Sequence, residues 1–255
     1  MTRDQHRRAR LDDDPASERR LIAPDGLVVR GFAPPLRLAD FGIVAFDMDS
    51  TLISIECVDE IADVAGKKTE VSAITEAAMR GEIADYKESL RRRVALLTGV
   101  PAAALQRVYD ERLRINPGAE RLVAACKAAG LKTLLVSGGF TFFTDRVRDR
   151  LGIDFARSNV LEIVDGALTG RMVDQPWGDI CDGEEKKKTL LETCAALGLA
   201  PSRAIAIGDG ANDLPMMSVA GLSVAYHAKP KVREAAMVAI DAGGLDRLLE
   251  VFRPS

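Results

Sequence analysis

The 255-residue sequence predicts an α/β protein: a doubly wound parallel sheet with a small helical cap inserted after the first strand of the core. Three observations carry that prediction. The short runs Phe41-Gly42-Ile43-Val44-Ala45-Phe46, Thr133-Leu134-Leu135-Val136 and Ala204-Ile205-Ala206-Ile207 have no polar face, as expected of strands covered on both sides. Segments of helical spacing separate the later runs, which is the pattern of strand–helix units. Across residues 57–115 no strand candidate interrupts a helical block, so that block reads as an insertion.

Residues 1–40 are expected to form a leader, largely irregular or disordered. The first 20 are charged and aperiodic, Leu27-Val28-Val29 offers one short strand, and Pro34-Pro35 ends any regular element. The core is expected over 41–52 and 116–255, and the cap over 53–115. In the cap, Val58, Ile61, Ala62 and Ala65 recur at helical spacing before Gly66, and 69–80 and 86–98 continue in that style. Asn116-Pro117-Gly118 marks the return to alternation. A helix over 119–129 closes at Gly130, and a strand follows at 133–136. Then come a helix near 141–151, a polar hairpin-like stretch at 159–173 and a helix over 186–197. The strand 204–207, a helix at 213–219 and the strand Ser223-Val224-Ala225-Tyr226 complete the series.

Composition narrows the function. A hydrophobic content of 47% is ample for a core, and a net charge of -3 gives no general attraction to nucleic acid or anionic lipid. No apolar run approaches the roughly 18 residues of a spanning helix, and Met1-Thr2-Arg3-Asp4-Gln5-His6-Arg7-Arg8 does not open a secretion signal. Cys57, Cys126, Cys181 and Cys194 show neither pairing nor metal-knuckle spacing, so reduced thiols in a cytoplasmic protein are expected. With only His6 and His227, a serine–histidine triad or a multi-histidine zinc site would rest almost wholly on His227. His227 is assigned no role, and the chemistry is expected to run on carboxylates.

Two strand ends carry those carboxylates. Asp47 and Asp49 emerge in Asp47-Met48-Asp49-Ser50-Thr51, at the sheet edge where open α/β folds place ligands. They should repel unless a cation lies between them. Helix capping is the plainer use of such acids, but Ser50 and Thr51 already offer caps. Downstream, Gly208-Asp209-Gly210-Ala211-Asn212-Asp213 carries more acid than a turn needs, and Asp209, Asn212 and Asp213 are hard oxygen donors that suit Mg²⁺.

Ser137-Gly138-Gly139 follows a buried strand and opens a helix. Unobstructed amides there would cradle an anion, although an ordinary turn also needs glycine. Beside two acidic strand ends, the phosphate reading is favoured. Of Lys186, Lys187 and Lys188, two are expected in solvent, and one facing the loops would neutralise phosphate charge. An acid nucleophile, a second acid, an amide cradle, a lysine and a metal loop together fit phosphoryl transfer.

In content and order these four motifs resemble those of the haloacid dehalogenase superfamily of phosphotransferases. Four further stretches are similar to the branch of that superfamily that hydrolyses phosphoserine. They are Glu56-Cys57-Val58-Asp59-Glu60-Ile61-Ala62, Ala78-Met79-Arg80-Gly81-Glu82, Ser89-Leu90-Arg91-Arg92-Arg93-Val94 and Ser137-Gly138-Gly139-Phe140-Thr141. The likeness covers roughly residues 41–250. It implies a Mg²⁺-dependent hydrolysis of O-phospho-L-serine to L-serine and phosphate, the last step of serine biosynthesis.

In the implied mechanism Asp47 attacks phosphorus and becomes an aspartyl-phosphate. Asp49 protonates the leaving alkoxide and then deprotonates the hydrolytic water. Mg²⁺ rests on the Asp47 carboxylate, the Asp49 carbonyl and Asp209, with Asp213 and Asn212 in support, and Asn212 also stands near the substrate. Ser137, Gly138 and Lys186 hold the phosphoryl oxygens. Glu56 meets the substrate ammonium and Arg93 its carboxylate. Consecutive helical arginines point about 100° apart, so at most one of the three faces the pocket, and the resemblance of Ser89-Leu90-Arg91-Arg92-Arg93-Val94 to the family's motif implies that it is Arg93. Met79 and Tyr86 line the cap. Helix initiation for Glu56, and core packing for Met79 and Tyr86, are the simpler alternatives.

The sequence departs from that pattern in four places. Gly81-Glu82-Ile83-Ala84-Asp85-Tyr86 is one residue longer than usual and has Tyr for Phe. Pro176-Trp177-Gly178-Asp179-Ile180-Cys181 is unusual and is expected to form a distinct loop beside the site. The forty leading residues are too few for the regulatory domain many relatives carry. His227 ends a strand without a role. Two other reactions use the same groups: phosphoryl transfer to an alcohol such as homoserine, and hydrolysis of another small phosphomonoester. A silent binding protein is disfavoured because Asp47, Asp49, Lys186 and Asp209 are all present. The expected partner is the small-molecule substrate, with no nucleic acid and no membrane; nothing in the sequence specifies an oligomeric state.

Overall fold

The computed structural model describes residues 21–23, 26–79, 82, 83 and 85–253. The chain opens with β1 (Leu21–Ala23), β2 (Leu27–Val29) and β3 (Ile43–Phe46). Four helices follow: α1 (Cys57–Val64), α2 (Lys68–Met79), α3 (Tyr86–Ala95) and α4 (Ala103–Glu111). Next are α5 (Ala119–Ala128), β4 (Lys132–Phe140), α6 (Thr141–Leu151), β5 (Phe155–Asn159) and the antiparallel hairpin β6 (Leu161–Val164) and β7 (Ala167–Met172). The chain continues through α7 (Gly183–Ala196), β8 (Ala204–Gly208), α8 (Leu214–Met217), β9 (Leu222–Tyr226), α9 (Pro230–Ala235) and β10 (Val238–Ile240).

Among the described residues one sheet of eight strands runs β1-β2-β10-β9-β8-β3-β4-β5. The six strands from β10 to β5 are parallel, and β1 and β2 add an antiparallel edge. Every residue of β3 is buried, because it lies between β4 and β8 with cover on both faces. Alternation divides that cover. Val44, Phe46, Ile205 and Ile207 face one hydrophobic cluster; Ile43, Ala45, Ala204 and Ala206 face the other, with Leu190, Cys194 and Met216 from α7 and α8. The alanines let α7 and α8 approach closely, which brings the α7 side chains to the end of β3. Full burial of a side chain such as Phe46 contributes about 1.5–3 kcal/mol.

Helices α1–α4 stand between β3 and α5. The β6–β7 hairpin braces them: Gly99 N donates to Leu168 O (2.8 Å), and Leu168 N donates to Val100 O (2.8 Å).

The expected loose leader needs correction within residues 21–40. β2 pairs with β10 and its three residues are buried, while Leu36 bridges Phe252. The reason is the apolar edge of β10, which Leu27-Val28-Val29 covers. Residues 1–20 lie outside the described part. Three other differences concern the core. β4 continues through Phe140 rather than ending at 136, with a register shift between Val136 and Phe140. β5 and β10 are strands where none was expected. α7 starts at Gly183, since the Asp182 carboxylate accepts the Glu185 N–H (2.9 Å) as its N-cap, so Lys186 lies a turn inside the helix.

Candidate active site

The turn that leaves β3 is held in an uncommon shape. Ser50 adopts φ 57°, a left-handed conformation that costs a non-glycine residue energy. Ile53 N donates to Met48 O (3.0 Å) and Ser50 N to Ile55 O (3.2 Å). Asn116 brackets the turn from the other side of the insertion, its Nδ2 donating to Thr51 O (2.8 Å) and Ile53 O (3.0 Å). The result points Asp47 and Asp49 into one cleft.

Asp47 caps the turn that follows it and also does more than cap. Its Oδ1 accepts from Met48 N (2.7 Å) and from Lys186 Nζ (2.7 Å). Lys186, fully buried, also donates to Asp213 Oδ1 (2.7 Å). The second Asp213 oxygen accepts the amides of Asp209 (3.1 Å) and Gly210 (3.0 Å), which shapes the second acidic loop. Only glycine fits at 208, where a Cβ would lie 2.3 Å from the Asp213 carboxylate. Thr51 Oγ1 donates to Asp209 Oδ1 (3.3 Å), joining the two loops.

Carboxylate oxygens of Asp47, Asp209 and Asp213 lie within 4.8 Å of one another. Burial, then Asp213, holds Asp47 well above the usual carboxylate range, against the pull of Lys186. Burial and Asp213 likewise push Asp209 up to about 7. Burial opposes the charge on Lys186, yet Asp213 and Asp47 outweigh it and keep the ammonium firmly protonated. Three acids against one ammonium leave negative charge that a divalent cation would neutralise, and the donors are all hard oxygens. The residues therefore fit a metal such as Mg²⁺, with Asp213 already committed to Lys186 and two amides.

Asp49 does act partly as a cap, for α1: its Oδ2 accepts Cys57 N (3.0 Å), and its Oδ1 accepts the Cys57 thiol (3.2 Å). Burial, then Glu56, pushes Asp49 up to about 7. Glu56 precedes α1 without capping it; its Oε1 accepts the Ser50 hydroxyl instead (2.7 Å).

At the end of β4, Ser137 Oγ accepts Gly139 N (2.9 Å), and no side chain caps the first turn of α6. Gly138 has no room for a side chain: a Cβ would lie 2.1 Å from the Tyr86 hydroxyl. Asn159, fully buried, donates to Gly138 O (2.7 Å) and accepts Cys181 N (2.7 Å), fixing the cradle to the loop before α7. That loop also meets α3, through Arg91 to Asp179 (2.8 Å) and Lys87 to Asp182 (3.3 Å).

These groups surround a cleft of roughly 820 Å³. Asp47, Asp49, Glu56, Tyr86, Arg93, Ser137, Gly138, Asp209 and Asn212 line it. Lys186 and Asp213 stand behind Asp47 and are not among the lining residues. Met79 ends α2, and its side chain lies outside the described residues. Of the three consecutive arginines, Arg91 pairs with Asp179, Arg92 pairs with Glu88, and Arg93 lines the cleft. His227 is exposed and hydrogen-bonded to Gly243 O (2.9 Å), away from the cleft. All four cysteines are free and buried.

Sequence reasoning missed Cys57, Asp59, Thr51, Asn159 and Lys229, each of which touches or lines the site. Cys57 and Asp59 sit inside a quoted motif, and their position beside Glu56 was an available signal. Asn159 had none, because its two partners lie 21 and 22 residues away on either side.

A parallel sheet whose strand ends converge on buried acids and one lysine defines a class of phosphoryl-transfer hydrolase. Residues 44–218 match the family described as haloacid dehalogenase-like hydrolase, and the chain belongs to that family. It is 74% identical over 233 residues to the phosphoserine phosphatase of Albidiferax ferrireducens, covering 91% of this chain and 98% of that one. The phosphoserine phosphatase of a Polaromonas species is 75% identical over 232 residues, with the same coverage. A solved structure described as a phospho-aspartyl intermediate analogue of phosphoserine phosphatase superposes with a TM-score of 0.76. It shares 35% identity and covers 84% of this chain and 99% of its own. Among the described residues no helix is long and apolar enough to cross a membrane.

Proposed function

We propose that this chain hydrolyses O-phospho-L-serine to L-serine and phosphate through an aspartyl-phosphate on Asp47, in the cytoplasm and as the last step of serine biosynthesis. The observation that carries the reading is Asp47 itself, a buried carboxylate facing the cleft with Lys186 2.7 Å behind it. Both of its hydrogen bonds fall on Oδ1, which leaves Oδ2 to attack phosphorus. The bond from phosphorus to the seryl oxygen breaks, and Asp49 gives that oxygen its proton. Water then attacks phosphorus, surrenders a proton to Asp49 and frees the Asp47 carboxylate. A group held near 7 is suited to both transfers at neutral pH.

Asp47, the Asp49 carbonyl and Asp209, with Asp213 behind them, would hold Mg²⁺, which would supply charge neutralisation for the phosphoryl group. Ser137 and the Gly138 amide take two of those oxygens, and Lys186 balances charge on Asp47. Asn212 lines the cleft as well. Glu56 receives the substrate ammonium, Arg93 its carboxylate, and Tyr86 covers them. Residues 53–115 act as a cap over the core formed by 41–52 and 116–255, closing on substrate and excluding bulk water.

Phosphate release from L-phosphoserine with Mg²⁺, measured beside phosphothreonine and a sugar phosphate, tests the assignment. A strong preference for phosphoserine is expected. Equal rates on all three would overturn the substrate while leaving the chemistry.

A further inference from the structure

Among the described residues two buried side-chain polar atoms have no hydrogen-bond partner: Asp59 Oδ1 and Arg93 Nε. They carry opposite charge, belong to residues that line the same cleft, and sit on α1 and α3. Buried polar atoms without partners are costly and uncommon, and they mark places where something is still to be completed. Other charged side chains of the cap are paired elsewhere. Arg112 pairs with both Glu60 and Asp63, Lys68 reaches Asp63 (3.6 Å), and Arg91 and Arg92 have Asp179 and Glu88. Burial pushes the Asp59 carboxyl up, and the strongest opposing influence on it is Arg93.

We infer that Asp59 becomes a positioning residue for Arg93 when substrate binds, its free Oδ1 accepting the free Nε–H so that the two terminal nitrogens of the guanidinium form a fork aimed at the carboxylate of the substrate. Arg93 uses five donors in one plane, and a fork presents two parallel N–H groups only when the plane is fixed. Asp59 lies in the first turn of α1, three residues after Glu56 at its N-cap, and both acids line the cleft. The pair therefore makes the site selective for a phosphate ester that also carries a carboxylate. The inference rests on the phosphoserine reading above.

The test compares the whole protein and Asp59→Asn, with Mg²⁺, on three esters. Phosphoserine has both charged groups, phosphoethanolamine lacks the carboxylate, and 4-nitrophenyl phosphate lacks both. The ratio of kcat/KM for phosphoserine to that for phosphoethanolamine should fall about tenfold in Asp59→Asn, the loss lying in KM. Asp59→Glu should recover part of the ratio. In an Arg93→Ala background, Asp59→Asn should change it little further.

An unchanged ratio would overturn the inference. So would an equal loss on all three esters, which marks a structural role. A loss on phosphoethanolamine matching that on phosphoserine would also overturn it, since Asp59 would then be meeting the ammonium. If the unaltered protein shows no preference for phosphoserine, the substrate reading fails and this inference falls with it.

Discussion

Cys57 gives one carboxylate two hydrogen bonds: its backbone N–H reaches Asp49 Oδ2 at 3.0 Å and its thiol reaches Oδ1 at 3.2 Å. Burial, then the Asp49 charge, holds the thiol well above its ordinary range, so it stays a protonated donor at neutral pH. A group that must deliver and recover a proton at one place gains from being fixed at both oxygens.

Cys57→Ala should lower kcat about tenfold with little change in KM, because the acid is aimed less well while the substrate contacts remain. Cys57→Ser keeps a donor and should retain most of kcat. Steady-state kinetics on phosphoserine decides this; wild-type kcat in Cys57→Ala would show that the thiol bond has no part in positioning.

The cradle makes a second prediction. A methyl group at Gly138 would lie 2.1 Å from the Tyr86 hydroxyl but 3.2 Å from the ring carbon that bears it. Gly138→Ala should therefore lose activity by displacing α3 or the cradle, and Tyr86→Phe should restore part of it in the double variant. Kinetics of the four proteins measure the coupling. Losses that simply add would mean that the hydroxyl is not what fills the space above Gly138.

The acid cluster links metal binding to pH. Asp49 and Asp209 are pushed up to about 7 and Asp47 well above its ordinary range, with burial the largest cause in each. Each keeps its proton in the folded chain after the unfolded chain has lost it. For Asp49 and Asp209 that contribution is fully present below the ordinary carboxylate pKa and is lost as pH rises through about 7, and Asp47 acts in the same direction. Without metal, Tm should fall between about pH 5 and pH 8, and the rise in Tm on adding Mg²⁺ should be larger at the higher pH. Thermal melts with and without Mg²⁺ at both values check this. A Mg²⁺ effect that is largest at low pH would contradict it.

Much of this site was legible because a parallel strand covered on both faces leaves an unbroken apolar run, as β3 and β8 do. The acids that end such runs stand out against them. Edge strands leave no such mark: β5 is Phe155-Ala156-Arg157-Ser158-Asn159, half polar because only one neighbour and part of its surface are covered. β1, β2 and β10 are three residues each, too short for a period, and gain their order from pairing with one another. Lys186 was legible as a residue but not in its setting, since a run of three lysines hides which one is buried. The turn begun by Asp182 decides that. The double donation by Cys57 and the bridging by Asn159 arise only once separate segments meet.

The central claim is that Asp47 carries the phosphoryl group, and trapping it is the direct measurement. Protein mixed with phosphoserine and Mg²⁺ is quenched in acid within a turnover, digested and read by mass spectrometry, beside Asp47→Asn. A single acid-stable, base-labile phosphoryl group is expected on the peptide containing Asp47, and none in a folded but inactive Asp47→Asn. Phosphate on a different residue, or turnover retained by Asp47→Asn, would contradict it.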